Sequence, residues 1–234
     1  MQVLKQVCRA LVVSGVIAGG QAVPVAAQVP PTVTQIDSFS PFHLAAHRGN
    51  IVRLQKLLAD GALIDERDGY GRTALMIATF ARKPAVITLL IEAGAKTGLL
   101  ENDRYDAVTI AAVADFPEIV ELLLNKGASA KLVTSVYDGT ALIAAAHLGH
   151  AEVVQHLING GAPLDHVNNL QWTALIEAIV LGNGKHRHIE TVRALVKAGA
   201  NLQLADGRGK TPLQLAKARG YSEIIKILED AGAR

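Results

Sequence analysis

The hydrophobic and polar positions of this chain recur in a short, repeated order. In Ala151-Glu-Val-Val-Gln-His-Leu-Ile the apolar residues return at helical spacing, which predicts an amphipathic helix. That helix runs to a Gly-Ala pair at Gly161, where glycine suits a left-handed C-terminal cap. The residues that follow are polar, with Asp and Asn, as a projecting turn requires. Ahead of it lies Thr140-Ala-Leu-Ile-Ala-Ala, opening on a side-chain oxygen able to cap the free amides of a first helical turn.

This succession returns along the chain, so the repeat precedes any other reading. Its starts are Ser40-Pro-Phe-His-Leu-Ala, Thr73-Ala-Leu-Met-Ile-Ala, Asp106-Ala-Val-Thr-Ile-Ala, Thr140-Ala-Leu-Ile-Ala-Ala, Thr173-Ala-Leu-Ile-Glu-Ala and Thr211-Pro-Leu-Gln-Leu-Ala. They lie 33, 33, 34, 33 and 38 residues apart, and Gly-Ala follows each start by 21 residues, except in the fifth unit, where it follows by 26. Each unit opens with a helix-capping residue, and Pro or Ala then takes the first helical position, where a missing amide costs nothing. Ala45, Ala78, Ala111, Ala145, Ala178 and Ala216 occupy one register position in all six units, and small residues there let neighbouring helices approach closely.

The pattern resembles the ankyrin repeat, and the resemblance covers Ser40 to Arg234. It implies an all-α fold, an ankyrin-repeat solenoid of about six helix-turn-helix units with projecting β-hairpin turns. Units start near residues 40, 73, 106, 140, 173 and 211, and residues 40–234 form the repeat domain. Only His43 keeps the family's histidine, and Arg82 and Asp115 replace the usual glycine between the two helices. Lys217, Arg219, Glu223, Lys226, Glu229 and Asp230 supply the polar outer face that a terminal unit needs.

The N-terminus departs from this rhythm. Lys5 and Arg9 precede an uncharged run from Ala10 to Gly20, and Val25-Ala26-Ala27 offers small residues to a signal peptidase, so residues 1–27 read as a signal peptide cut after Ala27. A retained anchor is the alternative. Residues 28–39, with Pro30 and Pro31, read as a flexible lead-in. Losing Lys5 and Arg9 from the 23 basic residues leaves as many bases as the 21 acids. A near-neutral export product is a poor nucleic-acid binder and needs no membrane after cleavage. Cys8, the single cysteine, would leave with the signal.

Several strings imitate catalytic motifs. Gly69-Tyr-Gly-Arg-Thr-Ala resembles a dinucleotide fingerprint, but it runs from a turn into a helix cap rather than from a buried strand. Gly207-Arg-Gly-Lys-Thr resembles the end of a phosphate loop, yet the first glycine of that loop would fall at Leu204. His43 and His47 have zinc-protease spacing, but Leu44 stands where the general-base glutamate belongs. With no nucleophile elbow and no mature cysteine, the expectation is a non-enzyme without a cofactor.

The fifth unit carries extra residues in Gly182-Asn-Gly-Lys-His-Arg-His-Ile-Glu190. Gly182 and Glu190 are in register, so the stretch from Asn183 to His188 is expected as a loop between the helices. His186 and His188 are weak metal candidates, with His150 nearby, although a structural zinc site wants four ligands.

The resemblance implies function in the hairpin tips and the concave first-helix face, where the family meets its partners. Those positions are Tyr70, Arg72 and Phe80 in unit two, and Asn102, Asp103, Tyr105 and Val113 in unit three. Unit four contributes Val136, Tyr137, His147 and Leu148, and unit five Leu170, Trp172, Val180 and Leu181. Of four Phe, four Tyr and one Trp in the chain, five stand on this grid, and interface anchors are typically Tyr and Trp. The alternative is that the rings stiffen adjacent hairpins.

The expectation is a monomeric scaffold, periplasmic or secreted, that binds another protein. Exported bacterial proteins of the family look like periplasmic accessories, some linked to envelope stress or peroxide defence. Two other readings stay open: a secreted effector of a host or competitor protein, and a metal binder using the inserted histidines.

Overall fold

The computed structural model describes residues 30–234. The predicted signal peptide therefore lies outside the described residues. Each of the six units contributes a helix pair: α2 (Pro41–Arg48) with α3 (Ile51–Ala59), α4 (Ala74–Phe80) with α5 (Pro84–Glu92), and α6 (Ala107–Val113) with α7 (Pro117–Asn125). The series continues with α8 (Ala141–Leu148) and α9 (Ala151–Asn159), α10 (Ala174–Val180) and α11 (His186–Lys197), and α12 (Pro212–Arg219) and α13 (Ser222–Asp230). First helices stack on first helices and second on second, giving two rows.

The two rows differ because their sequences do. In α4, α6 and α10 all residues but the last are buried, so these helices sit inside the stack. The second helices are amphipathic: α9 buries Val153, Val154 and Leu157 and leaves Gln155 in solvent. The six register alanines are all buried, between the helices they allow to approach.

The capping reading holds at each unit start. Ser40, Thr73, Asp106, Thr140, Thr173 and Thr211 each accept a hydrogen bond from the amide three residues on. All six Gly-Ala glycines adopt positive φ. Arg82 and Asp115 keep the interhelix turn by taking φ of 54° and 57°, a left-handed conformation that costs a non-glycine residue about 1 kcal/mol or more. Arg82 offsets part of that by stacking its guanidinium over Phe116, 5.0 Å from the ring centre.

Two expectations need correction. The lead-in is not wholly flexible: Val33–Asp37 forms helix α1, closed by a Thr32/Gln35 capping box. Nor are residues 183–188 all loop: only 183–185 are. α11 begins at His186, and His188 is buried in the place that His150 and Tyr221 hold in their units, ten residues from the unit start once the insertion is discounted. The extra residues are 183–187, of which 186 and 187 lengthen the helix at its N-terminus.

The projecting turns repeat a common frame. Asp68, Ser135, Asn168 and Asp206 each accept two backbone amides from their own turn through one side-chain oxygen. Paired strands, among the described residues, occur only in unit four, where β1 (Val133–Thr134) runs antiparallel to β2 (Gly139–Thr140). Turns are joined to their neighbours by backbone bonds: the Asn102 amide donates to Tyr70, that of Ser135 to Arg104, and that of Asn169 to Tyr137. The ridge is thus one hydrogen-bonded series rather than separate fingers.

Candidate functional site

The structure divides the fifteen predicted partner-facing residues. Tyr70, Asn102, Asp103, Val136 and Leu170 are exposed on the turns. Phe80, Val113, Leu148, Trp172 and Val180 are half-buried at helix edges or turn bases. Tyr105, Tyr137, His147, Leu170 and Leu181 come together around one recess of about 70 Å³, between the turns and the first helices of units three to five.

Arg72 leaves the set. It is only 5% exposed, its guanidinium bonds to Asp68 at 2.7 Å and to Gln35 at 3.1 Å, and it stacks between Tyr70 and Phe39. An arginine at a turn reads as exposed until α1 is present to cover it. Its role is to fasten the lead-in to unit two, and Tyr70 is partly engaged as the other face of that clasp.

The floor of the recess holds a residue that the grid omits. Glu177 is 4% exposed, with Oε1 accepting the Asn168 amide at 3.0 Å. Its Oε2 has no hydrogen-bond partner and stands 3.5 Å from His147 Nδ1. His147 Nε2 is likewise buried without a partner. Burial pushes the Glu177 carboxyl up to about 7, and burial together with His188 and His150 pulls the His147 imidazole down to about 4. The signal was available: the same register position holds Leu44, Ile77, Ile110, Ala144 and Leu215 in the other units, so Glu177 breaks an apolar series.

Tyr105 is also set by its surroundings. Burial, with Asp103 and Glu101 nearby, raises its phenol to about 12, so it remains a neutral hydrogen-bonding group at the recess wall.

The inserted histidines do not converge. His186 is exposed, while His188 is buried with Nε2 at 2.9 Å from the His147 carbonyl. Residues two apart on a helix do not face each other. His150 turns instead to the Ala112 carbonyl at 2.9 Å. Among the described residues no group of three or more His, Cys, Asp or Glu is arranged to hold a metal ion. The insertion does bring in Arg187, which pairs with Asp115 of unit three and donates to the Gly149 carbonyl, bridging across unit four.

Comparison with known proteins agrees with this architecture. Models of ankyrin repeats match residues 6–101, 108–200 and 178–229. The chain belongs to the ankyrin-repeat family. It is similar to the ankyrin repeat protein YahD of Escherichia coli (strain K12), 33% identical over 191 residues that span 81% of this chain and 94% of that one. A solved ankyrin repeat domain from Acinetobacter baumannii AYE is 47% identical, covers 83% of this chain and 98% of its own, and superposes with a TM-score of 0.78. The ankyrin repeat domain of Bcl-3, a member of the IkappaB family, is 27% identical, with a TM-score of 0.75 over 84% of this chain and 88% of that one. Ankyrin repeats are in general protein-interaction scaffolds. The family membership also accounts for the motif imitations, since Gly69–Ala74 and Gly207–Thr211 are turns entering capped helices.

Proposed function

We propose that the protein is an exported, non-catalytic scaffold that binds another protein through the turn ridge and first-helix face of units two to five. The observation that carries this reading is the placement of exposed apolar groups. Among the described residues, Tyr70, Val133, Val136, Val167 and Leu170 form most of the large hydrophobic side chains left in solvent, and all five lie on the turns. Solvated turns have no use for them, whereas a buried interface does. The ridge is also held rigid by its inter-turn hydrogen bonds, which lowers the ordering cost of docking.

Export rests on the N-terminal pattern of Lys5, Arg9, the uncharged run and Val25-Ala26-Ala27. Among envelope proteins, those of the peroxide response are the first to try, on the resemblance to exported bacterial members of the family.

The test is comparative capture from an envelope extract. A Tyr105→Ala/Tyr137→Ala/Leu170→Ala variant is expected to lose at least nine-tenths of the captured partner, roughly the effect of removing a hot-spot cluster. Glu121→Ala/Gln155→Ala, on the second-helix row, should retain it. Equal capture by both variants would sink the ridge assignment. Mass analysis of the exported product should find Gln28 at its N-terminus, and its recovery from culture medium instead of the periplasm would favour the secreted-effector alternative.

A further inference from the structure

The recess beneath the ridge has a chemistry that the repeat does not need. Five of six units fill the Glu177 position with an apolar residue, and a carboxylate buried without a counter-charge lowers stability. The space exists because Ala144 is small at the equivalent position of unit four, so unit four leaves room exactly where unit five places its acid. A cavity of about 70 Å³ holds more than a single water but far less than a cofactor or drug-sized ligand, whose sites run to roughly 300 Å³ and above. It fits the tip of a side chain.

We propose that this recess is a specificity pocket for a lysine ammonium presented by the protein partner, with Glu177 Oε2 as its charged acceptor. The inference rests on the docking reading above and narrows the partner's chemistry. The geometry favours lysine over arginine. Oε1 is already occupied by the Asn168 amide, so only the buried Oε2 lacks a partner, and a guanidinium's two-pronged match to a carboxylate is lost. A compact ammonium needs only one such oxygen. The hydroxyls of Thr109 and Thr134 line the same recess and offer further acceptors, while Tyr105, Tyr137 and Leu181 provide walls for the aliphatic stem. The carboxyl's raised affinity for its proton fits a site awaiting a cation, because an arriving ammonium replaces the proton as the compensating charge.

The experiment titrates the full mature protein with Nα-acetyl-lysine methylamide, reading the Asn168 side-chain amide by NMR, since that group donates to Glu177. The norleucine analogue, which keeps the stem and lacks the charge, should bind at least tenfold more weakly, about 1.4 kcal/mol. Glu177→Gln should weaken the lysine analogue by a similar factor, and Ala144→Leu should do so by filling the space without touching the acid. Circular dichroism verifies that each variant folds, and the lysine-to-norleucine ratio on the unaltered protein decides the matter should either variant fail. Equal binding of the two analogues, or no binding of either, overturns the proposal. Putrescine binding as tightly as the lysine analogue would assign the recess to a free diamine and overturn the partner assignment. The probe requires no partner, so lysine-selective probe binding together with equal capture by the ridge and second-helix variants counts against the ridge alone, and ridge-dependent capture by a protein that binds no probe counts against the recess alone.

Discussion

At the scale of single residues, Glu177 is where stability and binding pull apart. Burial raises its carboxyl from 4.5 to about 7 and lowers His147 from 6.5 to about 4, so folding moves a proton from imidazole to carboxyl. Between pH 4.5 and 6.5 the pair takes up no net proton, so the pH dependences of the two groups cancel. For Glu177 alone the folded state holds the proton more tightly. Its contribution is therefore fully present below pH 4.5 and is lost as pH rises to about 7. Gln mimics the protonated acid, so Glu177→Gln should leave stability unchanged at pH 4 and raise it at pH 8 by on the order of 3 kcal/mol. Urea unfolding at the two pH values measures this, and an equal effect at both would contradict it. A variant that is more stable yet binds less is the expected sign of a residue kept for function. The sequence displays Glu177 as a charge in an apolar series, but it conceals Arg72, whose burial depends on a helix formed 35 residues earlier by a segment that reads as flexible.

At the scale of elements, caps and glycines were legible because their physics is local. An Ser, Thr or Asp at a helix start and a Gly at its end act within four residues, and both were found where the register put them. The helical half of the insertion is not legible in the sequence, because its outcome depends on distant contacts. Counting back two residues from Glu190 places His188 in register with His150, but Arg187 finds Asp115 only across an entire intervening unit. That seam is tight. A Cβ added at Gly182 would lie 2.0 Å from the Ala178 carbonyl oxygen and 2.6 Å from the His188 ring. Gly182→Ala must displace α10 or α11, and should cost about 1–3 kcal/mol. Thermal unfolding tests this, with Gly207→Ala as the control, since its added Cβ meets only the Gln171 side chain at 3.3 Å. Equal melting temperatures for the two variants would mean that the connection yields without cost.

At the scale of the molecule, each unit buries its apolar surface only against its neighbours, so stability is a sum of unit and interface terms. Central units have two interfaces and terminal units one. Units three to five have an additional tie, since Arg187 reaches Asp115 over unit four and donates to Gly149 on the way. At the first unit, Gln35 and Phe39 meet Arg72. At the last, Arg219 donates to the Val180 carbonyl and Tyr221 to that of Gly182, while α13 buries only Ile224 and Leu228. Hydrogen exchange should therefore be fastest in α1 and α13 and slowest in α6, α8 and α10, the helices that frame the recess. Replacing Arg187 by Ala should narrow that difference by speeding exchange in α7 to α9 more than in α4 or α12, because the exposed ion pair itself is worth little and its effect lies in coupling three units. Uniform protection along the chain, or an Arg187→Ala effect confined to α11, would show that the stack opens as one body and that the insertion serves only its own unit. A rigid centre flanked by looser ends suits a scaffold whose docking recess must stay formed while it is empty.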